Sequence, residues 1–187
     1  MAAVRTIGAL LEAQGATWAL AGALAANVYR HDVRATGDVD LLVGFGAFDS
    51  ASALAALADS LERTGWALGD RRSRDWMLRA RHPEYGLVDV LSVGMVYQER
   101  AVERAVVHAG DDGTQLRVLA IEDVLIHKLI ADRSKDAADV ESILATDPEM
   151  DLEYLNHWLA EWAIEDRYER TKAVVQQRQA APCESNR

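Results

Sequence analysis

Three aspartates carry the residue types and spacing of a reactive site. Asp38 and Asp40 lie two apart in Gly37-Asp38-Val39-Asp40-Leu41-Leu42-Val43, and Asp89 sits inside Gly86-Leu87-Val88-Asp89-Val90-Leu91. Aspartate is depleted in strands, yet here it alternates with apolar residues at strand period, which puts i and i+2 on one face. Asp38 and Asp40 therefore project side by side, and Asp89 joins them if the two strands are neighbours. Carboxylates gathered so closely repel unless a cation lies between them. Hard divalent ions take oxygen ligands, and Mg²⁺ works by holding a substrate's phosphates. The chemistry that suits these residues is metal-assisted phosphoryl or nucleotidyl transfer. For Asp89, enclosed by Val88 and Val90, an arginine partner is the alternative to a metal, because a lone buried carboxylate is costly.

The elements that must hold these residues follow from periodicity and breakers. A helix is predicted over 4–13 and a strand over 17–21. Gly22 then turns the chain into an Ala-rich helix over 24–30, and a polar loop follows over 31–36. The aspartate strand runs to Val43 and is broken by Gly44 and Gly46. An amphipathic helix spans 48–63. Strands are predicted at 66–72, 76–81 and 87–93, the last almost wholly apolar and therefore central. A short helix over 96–102 precedes strands at 105–109 and 116–119 around an Asp111-Asp112-Gly113 turn. Helices follow over 121–131 and 135–144, then one long helix from 152 to about 177. The polar tail from Ala180 is expected to be disordered. This order predicts an α/β (α+β) chain with a mixed central sheet flanked by helices. Its expected parts are a core over 1–119, a helical region over 120–179 and the tail over 180–187.

Four ordered motifs carry a resemblance to the DNA polymerase β-like nucleotidyltransferase superfamily. Gly22-Ala23 resembles its turn at a helix start, Asp38 and Asp40 its Asp-x-Asp, and Asp89 its third carboxylate. Arg34-Ala35-Thr36-Gly37-Asp38-Val39-Asp40-Leu41 is similar to the Arg-x-Thr-x-Asp-Ile-Asp-Leu run of small bacterial members, which include the toxins of type IV abortive-infection systems. Lys128, followed by Arg133-Ser134-Lys135-Asp136-Ala137-Ala138-Asp139, is similar to that group's Lys…Arg-x-Lys-Asp-x-x-Asp element. The likeness spans residues 17–145. It implies a nucleotidyltransferase fold whose C-terminal helices form the second wall of the cleft. It also implies an NTP substrate held with two Mg²⁺ ions on Asp38, Asp40 and Asp89, with Asp89 as third ligand or as base on the attacking hydroxyl. Gly22, Ala23, Arg34, Thr36, Lys128, Arg133, Lys135 and Asp136 would line the nucleotide. Lys128 or Lys135 would meet the triphosphate, and Asp136 would hold Lys128 or Arg133. The NMP would pass to a hydroxyl of a tRNA, a protein or a small molecule, and a toxin of this kind implies an antitoxin partner.

One position departs from the pattern: Ala23 stands where a Ser or Gly is usual, so no hydroxyl is offered to a phosphate. A second reading follows from it, a non-catalytic nucleotide sensor or the partner subunit of a two-component system. Structural roles compete at other positions too. Lys135 and Asp139 suit an i,i+4 ion pair, and Thr36 suits a strand cap. Tyr154, Trp158 and Trp162 suit a core or homodimer face. Arg71, Arg72, Arg74, Arg79 and Arg81 form either a basic rim beside the aspartates or a solvated hairpin.

Composition narrows the classes. The chain has 187 residues, half of them hydrophobic, and a net charge of −10, which disfavours non-specific nucleic-acid binding as its main task. Cys183 is the single cysteine, so no internal disulfide forms. The five histidines have no zinc-ligand spacing, and no Walker loop or nucleophile elbow is present. No stretch is apolar enough to span a bilayer, and the N-terminus lacks a signal-peptide layout. The expected location is the cytoplasm.

Overall fold

A computed structural model describes residues 2–46, 48–69, 75–110 and 113–180. The chain divides into two compact units, one of residues 1–25 and 35–120, the other of residues 26–34 and 121–187.

The first unit is a mixed seven-stranded sheet with helices packed on it. Its elements are α1 (Ala2–Ala13), β1 (Thr17–Ala21), the start of α2 (Gly22–Val28), β2 (Asp38–Gly44), α3 (Ser50–Arg63), β3 (Ala67–Leu68), β4 (Met77–His82), β5 (Gly86–Ser92), α4 (Val96–Glu103), β6 (Val106–Ala109) and β7 (Gln115–Val118). The strand order is β3-β4-β5-β2-β1-β7-β6. β2 runs parallel to β5, and β1 parallel to β7. Both parallel strands at the middle are rich in Val and Leu, and Leu41, Val43, Val88 and Val90 are fully buried. Each such side chain contributes about 1.5–3 kcal/mol by leaving water. α3 shows how local sequence sets an element. Asp49 caps it by accepting from the Ser52 amide at 2.8 Å, and Leu54, Leu57, Ala58 and Leu61 give it one buried stripe.

The second unit is helical, with the remainder of α2, α5 (Ile121–Ala131), α6 (Ser134–Leu144), α7 (Leu152–Glu161) and α8 (Glu165–Ala180). α5 packs on α6 and α7, and α8 packs on α6 and α7. Polar bonds tie α7 to α5. The Asp151 amide donates to Glu122 at 2.7 Å, and the Tyr154 hydroxyl donates to the buried Asp123 at 2.8 Å. Tyr154 is thus engaged inside the unit, while Trp158 and Trp162 are half-buried.

Several boundaries differ from the sequence expectations. The single long helix expected over 152–177 is two helices. Ala163 takes φ 50°, and the Ile164 amide bonds back to the Leu159 carbonyl at 3.0 Å. That is a Schellman-type stop, held because Ile164 then buries its side chain. The helix expected to start at residue 48 begins at Ser50, leaving Phe48 exposed. The helix expected over 24–30 starts at Gly22 and ends at Val28. α8 extends through Ala180, the first residue of the expected tail. Residues 181–187, Arg71, Arg72, Arg74, Asp111 and Asp112 lie outside the described residues. Among the described residues, no helix is long and apolar enough to cross a membrane.

Candidate active site

β2 and β5 are neighbours, so the three aspartates meet on one sheet. In their parallel register Asp40 stands opposite Asp89, and Asp38 stands opposite Leu87. Register partners share a face, as do i and i+2, so all three carboxylates project from the same side. Asp38 is exposed and Asp40 half-buried, while Asp89 is 5% exposed. β4 completes the row. Arg79 is opposite Asp89 and donates to both of its oxygens, Nε to Oδ1 at 2.7 Å and Nη2 to Oδ2 at 2.6 Å. These hydrogen bonds, and then the fields of Asp89, Asp38 and Asp40, raise the Arg79 pKa further above its already high range. Arg81 lies two residues along on the same face and is exposed. Asp89 thus has an arginine partner.

Gly22 belongs to the site for a steric reason. It adopts φ +64°, and a Cβ there would fall 1.9 Å from Asp40 Oδ2. The bare backbone lets the carboxylate sit against the turn between β1 and α2. Gly22→Ala is therefore expected to cost about 1–3 kcal/mol through left-handed strain and to displace Asp40. Urea unfolding and transfer assays on the same variant measure the two effects separately. Thr36 acts at the strand entry, its hydroxyl lying 3.4 Å from the Asp38 carbonyl and 3.5 Å from the Asp38 amide. Ala23 is buried at the start of α2.

Among the described residues, no group of three or more His, Cys, Asp or Glu side chains is placed to hold a metal ion. The donor chemistry separates the aspartates. Asp38 and Asp40 present hard oxygens side by side and suit Mg²⁺. Each oxygen of Asp89 accepts one N–H from Arg79.

The other predicted residues form a cluster within the second unit. Lys128 is buried and donates to Asp136 at 3.1 Å and to Asp139 at 2.7 Å. Arg133 pairs with Asp136. Asp139 also accepts from Arg30 at 2.7 Å and from Arg34 at 3.3 Å. Asn27 fixes the intervening loop, accepting from Arg30 Nε at 2.8 Å and donating to the Arg34 carbonyl at 2.9 Å. Lys135 is exposed, and its expected i,i+4 pair with Asp139 is absent because Asp139 points inward. Helical spacing explains this: Asp136, Asp139, Val140 and Ile143 share the buried stripe of α6.

Burial alone would raise the Asp136 and Asp139 carboxyls. The hydrogen bonds from Arg133 and Lys128 to Asp136, and from Lys128 and Arg30 to Asp139, outweigh it, so both lie below the usual carboxylate range. A depressed folded pKa means that the stabilisation is present above the unfolded value, about 4, and is lost as pH falls through the lower folded values. Urea midpoints are expected to be flat down to about pH 5 and to drop below about pH 4. The drop should be shallower in Asp139→Asn.

The sequence reading places Arg79 in a basic rim beside the aspartates or a solvated hairpin, without pairing it to Asp89, and gives Asp139 only a pair with Lys135; their actual partners are Asp89 for Arg79, and Lys128, Arg30 and Arg34 for Asp139. A signal existed for each. Gly86, with φ +83°, closes a short hairpin that pairs His82 with Gly86, and loop length sets the register that brings Arg79 to Asp89. Asp139 lies on the apolar stripe of its own helix.

A mixed sheet carrying Asp-x-Asp on an inner strand, with a third aspartate in register beside it, is the arrangement that the resemblance to nucleotidyltransferases implies. Solved structures share the fold. An antigenic nucleotidyltransferase-like protein from Paracoccidioides brasiliensis superposes with TM-score 0.57 at 16% identity, covering 94% of this chain and 91% of that one. The lincomycin-bound lincosamide antibiotic adenylyltransferase LnuA gives TM-score 0.51 at 16% identity, covering 75% and 93%. No curated protein gives a significant match. Residues 8–182 match the family described as nucleotidyl transferase AbiEii toxin, type IV TA system. The chain belongs to that family and is a nucleotidyltransferase.

Proposed function

We propose that this protein moves an NMP from an NTP to a hydroxyl acceptor, releasing pyrophosphate, with a divalent cation held by Asp38 and Asp40. The observation that carries this reading is the row of acidic side chains on one face, with Asp40 in parallel register with Asp89 and Asp38 beside it. When bound, a cation supplies charge neutralisation at the phosphates and a template for the substrate. Asp38 and Asp40 orient it from strand positions, which are more rigid than loops. Gly22 keeps the Asp40 carboxylate in place. Arg79 adds fixed positive charge on the same face. Family membership supports a toxin role and an antitoxin as partner. The acceptor is a tRNA, a protein or a small molecule.

The test is transfer of label from each α-labelled NTP, with Mg²⁺, to a pool of tRNA, cell extract and aminoglycosides. Asp38→Ala/Asp40→Ala serves as control. Transfer by the unaltered chain that is lost in the control supports the reading, and product size identifies the acceptor class. NTP binding without transfer would replace it with the sensor or partner-subunit reading suggested by Ala23. Absence of both binding and transfer would sink it.

A further inference from the structure

Asp89 occupies the position of a third cation ligand, yet its geometry assigns it another task. We propose that Asp89 is a positioning residue, not a ligand. It holds the Arg79 guanidinium on the site face, and Arg79 supplies the second positive charge of the site and contacts the triphosphate of the substrate. This inference rests on the nucleotidyl-transfer reading above and deepens it.

The bidentate contact is the first support. Nε and Nη2 of Arg79 reach the two oxygens of Asp89 at 2.7 and 2.6 Å, the fork geometry in which guanidinium and carboxylate bind best. Asp89 is 8% exposed in its side chain and sits between buried valines. There an unpaired charge would be costly, so this pair is built in. Arg79 is different, with its side chain 51% exposed. A guanidinium has five N–H donors, and two are used on Asp89. The remaining edge can receive phosphate oxygens, for which arginine is the geometrically matched cation.

The sheet supplies the placement. Arg79, Asp89 and Asp40 are consecutive register partners on β4, β5 and β2, so their backbones follow one another across the sheet at about 4.8 Å per strand. The anchored guanidinium therefore lies within side-chain reach of the space before Asp40.

Mn²⁺ binding followed by electron paramagnetic resonance tests the assignment without relying on turnover. Asp38→Asn and Asp40→Asn should each weaken Mn²⁺ binding about tenfold or more. The charge-balanced pair Asp89→Asn/Arg79→Gln should change it by less than about threefold. Arg79→Gln alone should leave Mn²⁺ binding intact and weaken magnesium tripolyphosphate binding about tenfold or more, measured by calorimetry, with Arg79→Lys intermediate. A double variant that loses Mn²⁺ as severely as Asp38→Asn makes Asp89 a ligand and overturns the proposal. So does an Arg79→Gln variant that binds tripolyphosphate as the unaltered protein does. If the double variant does not fold, Mn²⁺-soaked crystals of the unaltered chain decide. Anomalous signal between Asp38 and Asp40, with Asp89 still on Arg79, supports the assignment, and signal at ligation distance from Asp89 defeats it. Failure of the unaltered chain to bind Mn²⁺ at all would defeat the nucleotidyl-transfer reading itself, a result distinct from the others.

Discussion

Asp40→Ala is expected to lower nucleotidyl transfer by about 10³-fold or more, equivalent to roughly 4 kcal/mol of transition-state stabilisation, with only a small change in unfolding temperature. The two halves of this result come from one arrangement. Asp40 stands beside Asp89 in register and shares a face with Asp38. Three carboxylates on one face are an electrostatic cost to the folded chain, offset in part by Arg79. The carboxylate is also pressed against a glycine that has no room for a Cβ, so alanine at position 40 removes a crowded group rather than opening a core cavity. Activity and melting temperature measured on one preparation check both halves. A variant that transfers normally removes Asp40 from the site. One that melts far lower makes it structural.

Asp139→Ala should produce the opposite pattern, a loss of about 3–5 kcal/mol of stability, or roughly 10 °C in melting temperature for a chain of this size. Arg30 and Lys128 have side chains only 3% and 7% exposed, and both bond to Asp139. Without it, Arg30 loses its ion pair and Lys128 keeps only Asp136. The cost comes from stranded charge more than from lost attraction. Asp139→Asn, which keeps the shape and one oxygen acceptor, should cost less. The apolar triple Arg30→Met/Lys128→Met/Asp139→Leu should recover part of the loss, because replacing a whole buried ion cluster is often close to neutral. Chemical denaturation of the three variants separates these contributions. A loss below 1 kcal/mol in Asp139→Ala would mean that water reaches the cluster.

Much of the first unit was legible from local pattern. Val39, Leu41 and Val43 alternate with Asp38, Asp40 and Leu42 at strand period, and the resulting strand is Asp38–Gly44. The stripe Leu54, Leu57, Ala58 and Leu61 announced α3. Gly22 marked a turn, although its reason proved to be the approach of Asp40, a partner whose position depends on the β1–β2 pairing. The helix break at Ala163 was not legible, because the sequence there has neither glycine nor proline and the stop depends on burying Ile164.

The residues by themselves determined that Asp38 and Asp40 share a face, that oxygen-ligand chemistry suits them, and that a mixed sheet with helices would carry them. Periodicity is a property of consecutive residues, so it survives without tertiary information. What only the tertiary structure decided is who stands opposite whom. Asp89 meets Arg79 because β4 and β5 pair in one register. Lys128 is enclosed by Asp136 and Asp139 because α5 packs on α6. Arg30 reaches Asp139 across 109 residues of chain. Periodicity names the face on which a charge lies, but the neighbour that stabilises it comes from pairing and packing between segments distant in the chain.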